Sequence, residues 1–380
     1  MAAIRVLIVD DSVVVRRYLS TVLGRDPAVE VIATASSGPL ALYKIEALAP
    51  DLVTLDLEME EMDGLEVLRQ IRRKHPALPV IVFSSKTERG ANAALDALAL
   101  GANDYVQKPS SLGLVAQPVE RATEQLLEKV KLFGSAAPPA TSLKPSGATA
   151  SAVVVEHEAA PKPAAAPVSA SARGVLPSTR PIAAVAIGAS TGGPNALDTL
   201  LGALPADLGV PVLVVQHMPP LFTRYLAERL DRRCALRVHE AEHEMPVRAG
   251  HIYIAPGDSH MVLDMGGAGL RVLLNRDEPE NSCRPSVDPL FRSVAKVLPG
   301  AALGVMLTGM GRDGLEGSRV LHATGAAILA QDKATSVVWG MPGFVVNAGL
   351  ADAVLPLDEI ASAVSRRVQR SIALGRGGVP

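Results

Sequence analysis

From Ile4 to about Phe133, short unbroken apolar runs alternate five times with helical patterns, and no other feature constrains the fold as tightly. The runs are Val6–Val9, Val29–Ala33, Leu52–Leu55, Val80–Phe83 and Tyr105–Val106. Between them apolar residues recur at helical spacing, as in Val15, Leu19, Val22 and Leu23, with Gly24 where a helix C-cap belongs. A strand wetted on one face alternates apolar and polar residues. An unbroken run suits a strand covered on both faces, and helices between such strands make the sheet parallel. The expectation is a doubly wound, five-stranded parallel sheet.

After Pro181 the alternation starts again, with runs at Ile182–Ile187, Val210–Val215, Ile252–Ala255 and Ala302–Leu307 and helical patterns at Ala196–Leu204 and Phe222–Leu230. Val262–Leu263 and Leu270–Leu274 flank Gly266-Gly267 and read as a hairpin. A second α/β domain with an antiparallel excursion is predicted, ending near Ala373. The intervening stretch is rich in Ala, Pro and Ser, including Pro138-Pro139 and Pro161–Pro167, and cannot bury enough apolar surface to offset its ordering entropy. As a coil it spans roughly 35–40 Å, so the flanking domains can touch or separate. The expected division is 1–134, a linker over 135–180, and 181–380. Val153-Val154-Val155 in that linker reads as a solvated cluster or a docking patch.

Hydrophobic residues make up 48% of the 380 and aromatics only 3%, so the cores must be aliphatic. A net charge of -2 gives no electrostatic footprint for nucleic acid or an anionic membrane, and both are disfavoured as partners. The start of the chain meets Asp10 and Asp11 too early for a signal peptide. No stretch approaches the roughly 18–20 apolar residues of a membrane span. A cytoplasmic protein without membrane insertion is expected. Cys234 and Cys283 form no metal-spaced motif and are read as inert.

In an open parallel sheet, ligands bind at the carboxyl ends of the strands. Asp10 and Asp11 follow the first run, Asp56 closes the third, Ser84 follows the fourth and Lys108 the fifth. Three carboxylates at one edge repel unless a cation joins them, and hard oxygen ligands suit Mg²⁺. Asp56 is then a candidate phosphoryl acceptor, Lys108 neutralises developing charge and Ser84 bonds the product, although Ser85 could take that part. The bland alternative makes Asp10 and Asp11 helix caps and Lys108 a surface residue.

Gly188-Ala189-Ser190-Thr191-Gly192-Gly193-Pro194 follows a strand and precedes a helix, the context of an exposed serine nucleophile. A Gly-rich phosphate loop would look alike, but the Lys of a P-loop is missing. His217 and Asp313 each follow an apolar run, so base and orienting carboxylate should meet Ser190 at one sheet edge. The order Ser, His, Asp differs from the Ser, Asp, His of the α/β-hydrolases. His239 and His243 invite a metal reading, but Val247, Ile252 and Tyr253 nearby suggest strand and loop, where that spacing does not converge.

Residues 4 to about 125 resemble the receiver domain of two-component response regulators in Val9-Asp10-Asp11-Ser12, Leu55-Asp56 with Met62-Asp63-Gly64, and Tyr105-Val106-Gln107-Lys108-Pro109. The resemblance implies a flavodoxin-like receiver, Mg²⁺ at Asp10, Asp11 and Asp56, phosphorylation of Asp56 by a histidine kinase, and switching through Ser84, Tyr105 and Lys108. Residues 181 to about 370 resemble the catalytic domain of chemotaxis response regulator protein-glutamate methylesterases. That likeness rests on Ile187–Pro194, Gln216-His217-Met218-Pro219, Arg284-Pro285-Ser286-Val287-Asp288, Thr308-Gly309-Met310-Gly311 with Asp313-Gly314, and Gln331-Asp332 with Trp339-Gly340-Met341-Pro342.

The second resemblance implies an α/β/α methylesterase domain with nucleophile Ser190, base His217, orienting carboxylate Asp313, and backbone N–H groups of Thr191 and Met310 for the oxyanion. It implies hydrolysis of glutamate methyl esters on methyl-accepting chemoreceptors, deamidation of receptor glutamines, and no cofactor for the hydrolase. Leu221 and Tyr225 are bulkier than the residues expected beside the histidine, which bears on substrate access. Two rival readings are a response regulator that only docks or buffers phosphate, which an intact serine, histidine and aspartate set disfavours, and a transcriptional regulator. The latter lacks a basic recognition helix.

Overall fold

The computed structural model describes residues 2–85, 87–108, 116–135, 178 and 180–376. Chain order begins β1 (Ile4–Val9), α1 (Val13–Leu23), β2 (Val29–Ala35), α2 (Gly38–Leu48), β3 (Leu52–Asp56), α3 (Gly64–Lys74), β4 (Val80–Ser84), α4 (Glu88–Ala99), β5 (Asp104–Gln107) and α5 (Ala116–Gly134). The five strands pair in parallel in the order β2-β1-β3-β4-β5, as the five apolar runs predict. Side chains of β1 divide by parity. Val6 and Ile8 enter one buried cluster with Val15 and Leu19 of α1 and Leu126 and Val130 of α5, whereas Leu7 and Val9 enter another with Val67 and Leu68 of α3 and Leu95 of α4. Two wet-excluded faces explain why the runs are continuous.

The second half comprises β6 (Ala184–Ala189), α6 (Gly193–Gly202), β7 (Val212–Gln216), α7 (Phe222–Asp231), β8 (Arg237–Glu240), β9 (His251–Ile254), β10 (His260–Gly266), β11 (Gly269–Asn275) and α8 (Val287–Val297). It continues with β12 (Ala302–Met306), α9 (Leu315–Ala323), β13 (Ala327–Gln331), α10 (Met341–Asn347), β14 (Ala353–Leu355) and α11 (Leu357–Arg376). Seven strands make a parallel sheet in the order β14-β13-β12-β6-β7-β9-β8, and β10 and β11 form the expected antiparallel hairpin. The sequence reading did not resolve β8, β13 or β14. The edge strand β8 is short and mixed in polarity and the edge strand β14 has only three residues, so neither carries a long apolar run, whereas β13 is a buried interior strand whose apolar run was overlooked.

Val185 and Ile187 of β6 pack under α6, α7 and α11, while Ala186 faces α8 across the sheet. The cluster beneath α6 and α7 is continuous with the one beneath α3 and α4, so a single apolar mass runs between the two halves. Of the expected linker, only Ser135, Ser178 and Arg180 lie among the described residues; the Val153–Val155 cluster and Pro109 lie outside them. Helix α11 runs to Arg376, past the expected end at Ala373.

Phe291 on α8 is fully buried between sheet and helices. Phe291→Ala should cost about 3–5 kcal/mol in chemical denaturation followed on the second half, whereas Val320→Ala, at an exposed site on α9, should stay within about 0.5 kcal/mol.

Candidate functional site

Each sheet gathers its chemistry at its carboxyl edge. In the first, Asp10 stands just past β1, Asp56 and Ser84 end β3 and β4, and Lys108 follows β5. Lys108 Nζ lies 2.6 Å from Asp56 Oδ2 and 2.9 Å from Asp10 Oδ2. The Ser12 and Glu58 backbone N–H groups donate to Asp10 Oδ1 and Asp56 Oδ1. Asp10, Asp11 and Asp56 each offer an oxygen within 4.8 Å of the others, a spacing and donor set that suit a hard divalent cation. Burial pushes the Asp56 carboxyl up to about 6, and Lys108 offsets this only in part. The N-cap of α1 is Ser12, whose hydroxyl accepts from Val15 N, while Asp10 accepts from Ser12 N, and Lys108 is no free surface residue.

Ser84 is fully buried, and its hydroxyl donates to Gly90 O of α4 at 2.7 Å rather than to Asp56. Ser85 bonds Thr87 instead. Tyr105 leaves the opposite side of this edge and stacks on Phe222, the first residue of α7, with ring centroids 4.8 Å apart. Arg229 Nη1 of α7 lies 2.7 Å from Asp96 Oδ1 of α4, and Asn195 Nδ2 of α6 donates to Leu98 O. Leu98, Ala102, Gly192, Pro194 and Val337 line a crevice of about 200 Å³ between the halves.

In the second sheet, Ser190 follows β6, His217 follows β7, and Asp313 lies in the loop after β12. The turn after Ser190 needs glycine twice. Gly192 has φ 77°, and a Cβ on Gly193 would lie 1.9 Å from Gln216 Oε1. Gln216 Nε2 in turn donates to Ser190 O. The Gly309 loop lies against Ser190, close enough that a Cβ there would fall 2.9 Å from Ser190 Cβ. Thr308 Oγ1 donates to Thr191 O, and Gly340 and Met341 N–H groups to Gly309 O, so the loops carrying the Thr191 and Met310 amides are fixed from behind.

His217 Nε2 lies 2.7 Å from Asp313 Oδ2. An ionised carboxylate can only accept, so Nε2 carries the hydrogen and Nδ1 is left to take a proton. Asp313 also accepts from Ser286 Oγ, Val287 N, Asn281 Nδ2 and Gly314 N. Burial alone would raise its carboxyl, but the bonds from His217, Ser286 and Val287 outweigh that and hold it at about 2. Burial of the His217 ring opposes its charge, but an ionised Cys283 sulfur and Asp313 together lift it to about 10; with Cys283 as a neutral thiol the sulfur's share is lost and Nδ1 is open to a proton. The Ser190 hydroxyl makes no hydrogen bond to another described residue. Cys283 Sγ, 3.4 Å from Nδ1, is the contact on that nitrogen.

The sequence did not place Cys283 beside the histidine: a strand-and-loop fold brings it there from 66 residues away, and no local motif announces that. Asn281, Ser286 and Asp288 were also missed as supports of Asp313, although the Arg284–Asp288 block was a signal. His239 and His251 meet through Nε2 and Nδ1 at 2.8 Å on β8 and β9, while His243 Nδ1 accepts from Leu274 N, so His239 and His243 do not converge. Leu221 has φ 72°, and both it and Tyr225 pack against the apolar cluster shared by the two halves.

A carboxylate edge with a partly buried lysine, coupled to a second edge that gathers a serine, a histidine and an aspartate, defines a response regulator with an enzymatic effector domain. A response regulator receiver domain model matches residues 6–120 and a CheB methylesterase model residues 185–364. The chain is 47% identical to the protein-glutamate methylesterase/protein-glutamine glutaminase of Trichodesmium erythraeum, over 97% of this chain and 100% of that protein. It is 48% identical to the namesake from a Nocardioides species over 97% of each. The crystal structure of the Thermotoga maritima CheB methylesterase catalytic domain is 41% identical, covering 49% of this chain and 98% of that one, with a TM-score of 0.48. The chain belongs to the protein-glutamate methylesterase/protein-glutamine glutaminase family.

Asp56 is raised to about 6 from 3.8, so the folded protein binds a proton between those values that the unfolded chain does not. Its contribution to stability is present at low pH and lost as pH rises through about 6. A cation needs the carboxylate, so Mg²⁺ affinity measured by calorimetry should weaken about tenfold per pH unit below 6, and Asp56→Asn should lessen that dependence to what Asp10, also raised by burial, contributes.

Proposed function

We propose that this chain is a phosphorylation-regulated serine hydrolase that removes methyl groups from glutamate methyl esters of chemoreceptors, releasing methanol, and deamidates receptor glutamines in signal adaptation. The observation that carries the reading is the His217–Asp313 pair, 2.7 Å apart at the same carboxyl edge at which Ser190 follows β6. Ser190 attacks the ester carbonyl, His217 Nδ1 takes its proton and returns it to methanol, and water then hydrolyses the glutamyl ester. Thr191 and Met310 N–H groups hold the oxyanion, helped by the N-terminus of α6. For attack by Ser190, Cys283 must keep its own proton and yield Nδ1. Cys283 as nucleophile is the weaker reading, because the nearby N-terminus of α8 is spent on Asp313.

We infer that residues 1–134 form the receiver, 135–180 a linker and 181–380 the hydrolase. A histidine kinase of a chemotaxis-type system would phosphorylate Asp56, and methyl-accepting chemoreceptors would be substrates. Mg²⁺ held by Asp10, Asp11 and Asp56 would neutralise phosphoryl oxygens, beside Lys108. The described helices include none long and apolar enough to cross a membrane, which supports action from the cytoplasm on the receptors' inner parts.

Control follows from α4. Its Gly90 carbonyl holds Ser84, and its outer face meets α6 and α7, which begin beside Ser190 and His217. The contacts across the halves are individually weak. The Arg229–Asp96 pair is partly exposed and contributes about 0–1 kcal/mol, and the Tyr105–Phe222 stack about 0.5–1.5 kcal/mol. Tethering at millimolar effective concentration makes such contacts sufficient to cover the edge, and recruitment of Ser84 to a phosphoryl group would loosen them.

Ser190→Ala should lower methanol release from methylated receptor membranes at least about a thousandfold with the fold retained, and His217→Ala comparably, with Asp313→Ala milder. A folded Ser190→Ala protein with wild-type activity would remove Ser190 from the nucleophile's place. Deleting residues 1–134 should raise basal activity, Arg229→Ala should raise it less, and Asp56→Asn should hold the full chain at its basal rate with acetyl phosphate present. A well-folded 181–380 fragment less active than the unphosphorylated chain would show that the receiver presents substrate rather than blocking it.

A further inference from the structure

His217 has two committed neighbours, and only one of them belongs to the hydrolytic set. Asp313 fixes the ring through Nε2, and the sulfur of Cys283 sits 3.4 Å from Nδ1, the nitrogen that must take the serine proton. The segment carrying the sulfur has little freedom to swing away. Glu280 and Cys283 exchange backbone hydrogen bonds, Asn281 Nδ2 donates to both Asp288 and Asp313, and Arg284 bonds Asp258 and the carbonyls of Arg276 and Asp277. Cys283 is half-buried, so a small molecule can reach it.

We propose that Cys283 is an activated thiol that shares His217 with Ser190, and that small electrophiles of the hydroperoxide class modify it and thereby silence the hydrolase. His217 Nδ1 takes the thiol proton as the sulfur attacks one oxygen of hydrogen peroxide. An S–O bond forms, the O–O bond breaks, and the departing hydroxide takes the proton from His217 and leaves as water. The thiol is oxidised to a sulfenic acid and the peroxide is reduced. Reaction with iodoacetamide follows the same path, with an S–C bond formed and iodide expelled. Either product places new atoms against Nδ1 and denies Ser190 its base. The other thiol supplies a contrast within the same chain: Cys234 has no histidine beside it, and burial together with Asp198 and Asp231 pushes it up to about 11.

The part of this inference that concerns activity rests on His217 acting as the hydrolytic base; the part that concerns the thiol does not. The test uses the reduced full chain at pH 7, with iodoacetamide and, separately, hydrogen peroxide followed by a sulfenic-acid probe, and reads each cysteine by peptide mass spectrometry. Cys283 should react about tenfold faster than Cys234 and about fivefold faster than N-acetylcysteine, which no half-buried thiol achieves without a base. Methanol release should fall in step with Cys283 occupancy and return when dithiothreitol reduces the sulfenic acid. A rate at or below that of N-acetylcysteine overturns the activation, and full modification with activity intact overturns the silencing. If the chain released no methanol before treatment, the hydrolase reading would fail while the labelling rates still decided the thiol's character.

Discussion

Asp313 is the group on which the hydrolytic edge depends. A carboxylate taken out of water costs several kcal/mol unless its oxygens are satisfied, and this one is 2% exposed. Its partners come from four places: the His217 ring after β7, the Asn281 amide in the loop after β11, the Ser286 hydroxyl and Val287 amide at the start of α8, and the adjoining Gly314 amide. Helix α8 therefore serves as more than a cover for the sheet. Its first turn points unpaired N–H groups and the positive end of its dipole at the carboxylate, and the hairpin of β10 and β11 packs on α8, where Leu263 N donates to Ser293 Oγ. Together they keep Asp313 ionised, and the ionised carboxylate holds the His217 hydrogen on Nε2.

The receiver edge is organised by the opposite arrangement, one lysine among acids rather than one acid among donors. Lys108 spans Asp10 and Asp56, so the acidic pocket is partly neutral before any cation arrives. What connects this edge to the other is a short mechanical path: Ser84 holds Gly90, Gly90 opens α4, and α4 lies on α6 and α7. Tyr105 adds a second path through Phe222, just beyond the strained Leu221 in the histidine's own loop. The two paths end at Asn195 and Phe222, each five residues along the chain from Ser190 and His217 respectively.

Much of this was legible in the chain. Continuous apolar runs gave both sheets because two-sided burial leaves no polar alternation, and strand-end placement put Asp10, Asp56, Lys108, Ser190 and His217 at the right edges. The short edge strands escaped because a sheet edge is not buried on two faces. Cys283 and Asn281 escaped for a different reason. They sit in an irregular loop where Asn281 and Ser282 adopt left-handed backbone, and such a loop aims side chains by its tertiary anchors rather than by any period. The interdomain pair Arg229–Asp96 joins residues 133 apart, and a charged residue on a helix face reads as solvated until its partner is known.

Asp288 shows how the charge is kept where it is useful. It lies beside Asp313, buried, bridged to it by Asn281 Nδ2, and two such carboxylates cannot both ionise cheaply. Burial raises Asp288, whose acceptors are filled only by Gly317 N and Asn281, while the fuller set of donors and the adjoining ring hold Asp313 down. The environments push the two apart, so the negative charge settles on the carboxylate that touches His217. On the proposed reading that charge would steady the imidazolium formed when either Ser190 or Cys283 gives up its proton. Such a base takes a proton more readily from a thiol, the stronger acid, than from an alcohol, so selection of the alcohol cannot come from the base. Discrimination must come from what each nucleophile faces, and Ser190 sits at the mouth of a helix N-terminus while the thiol sits among donors already spent on Asp313.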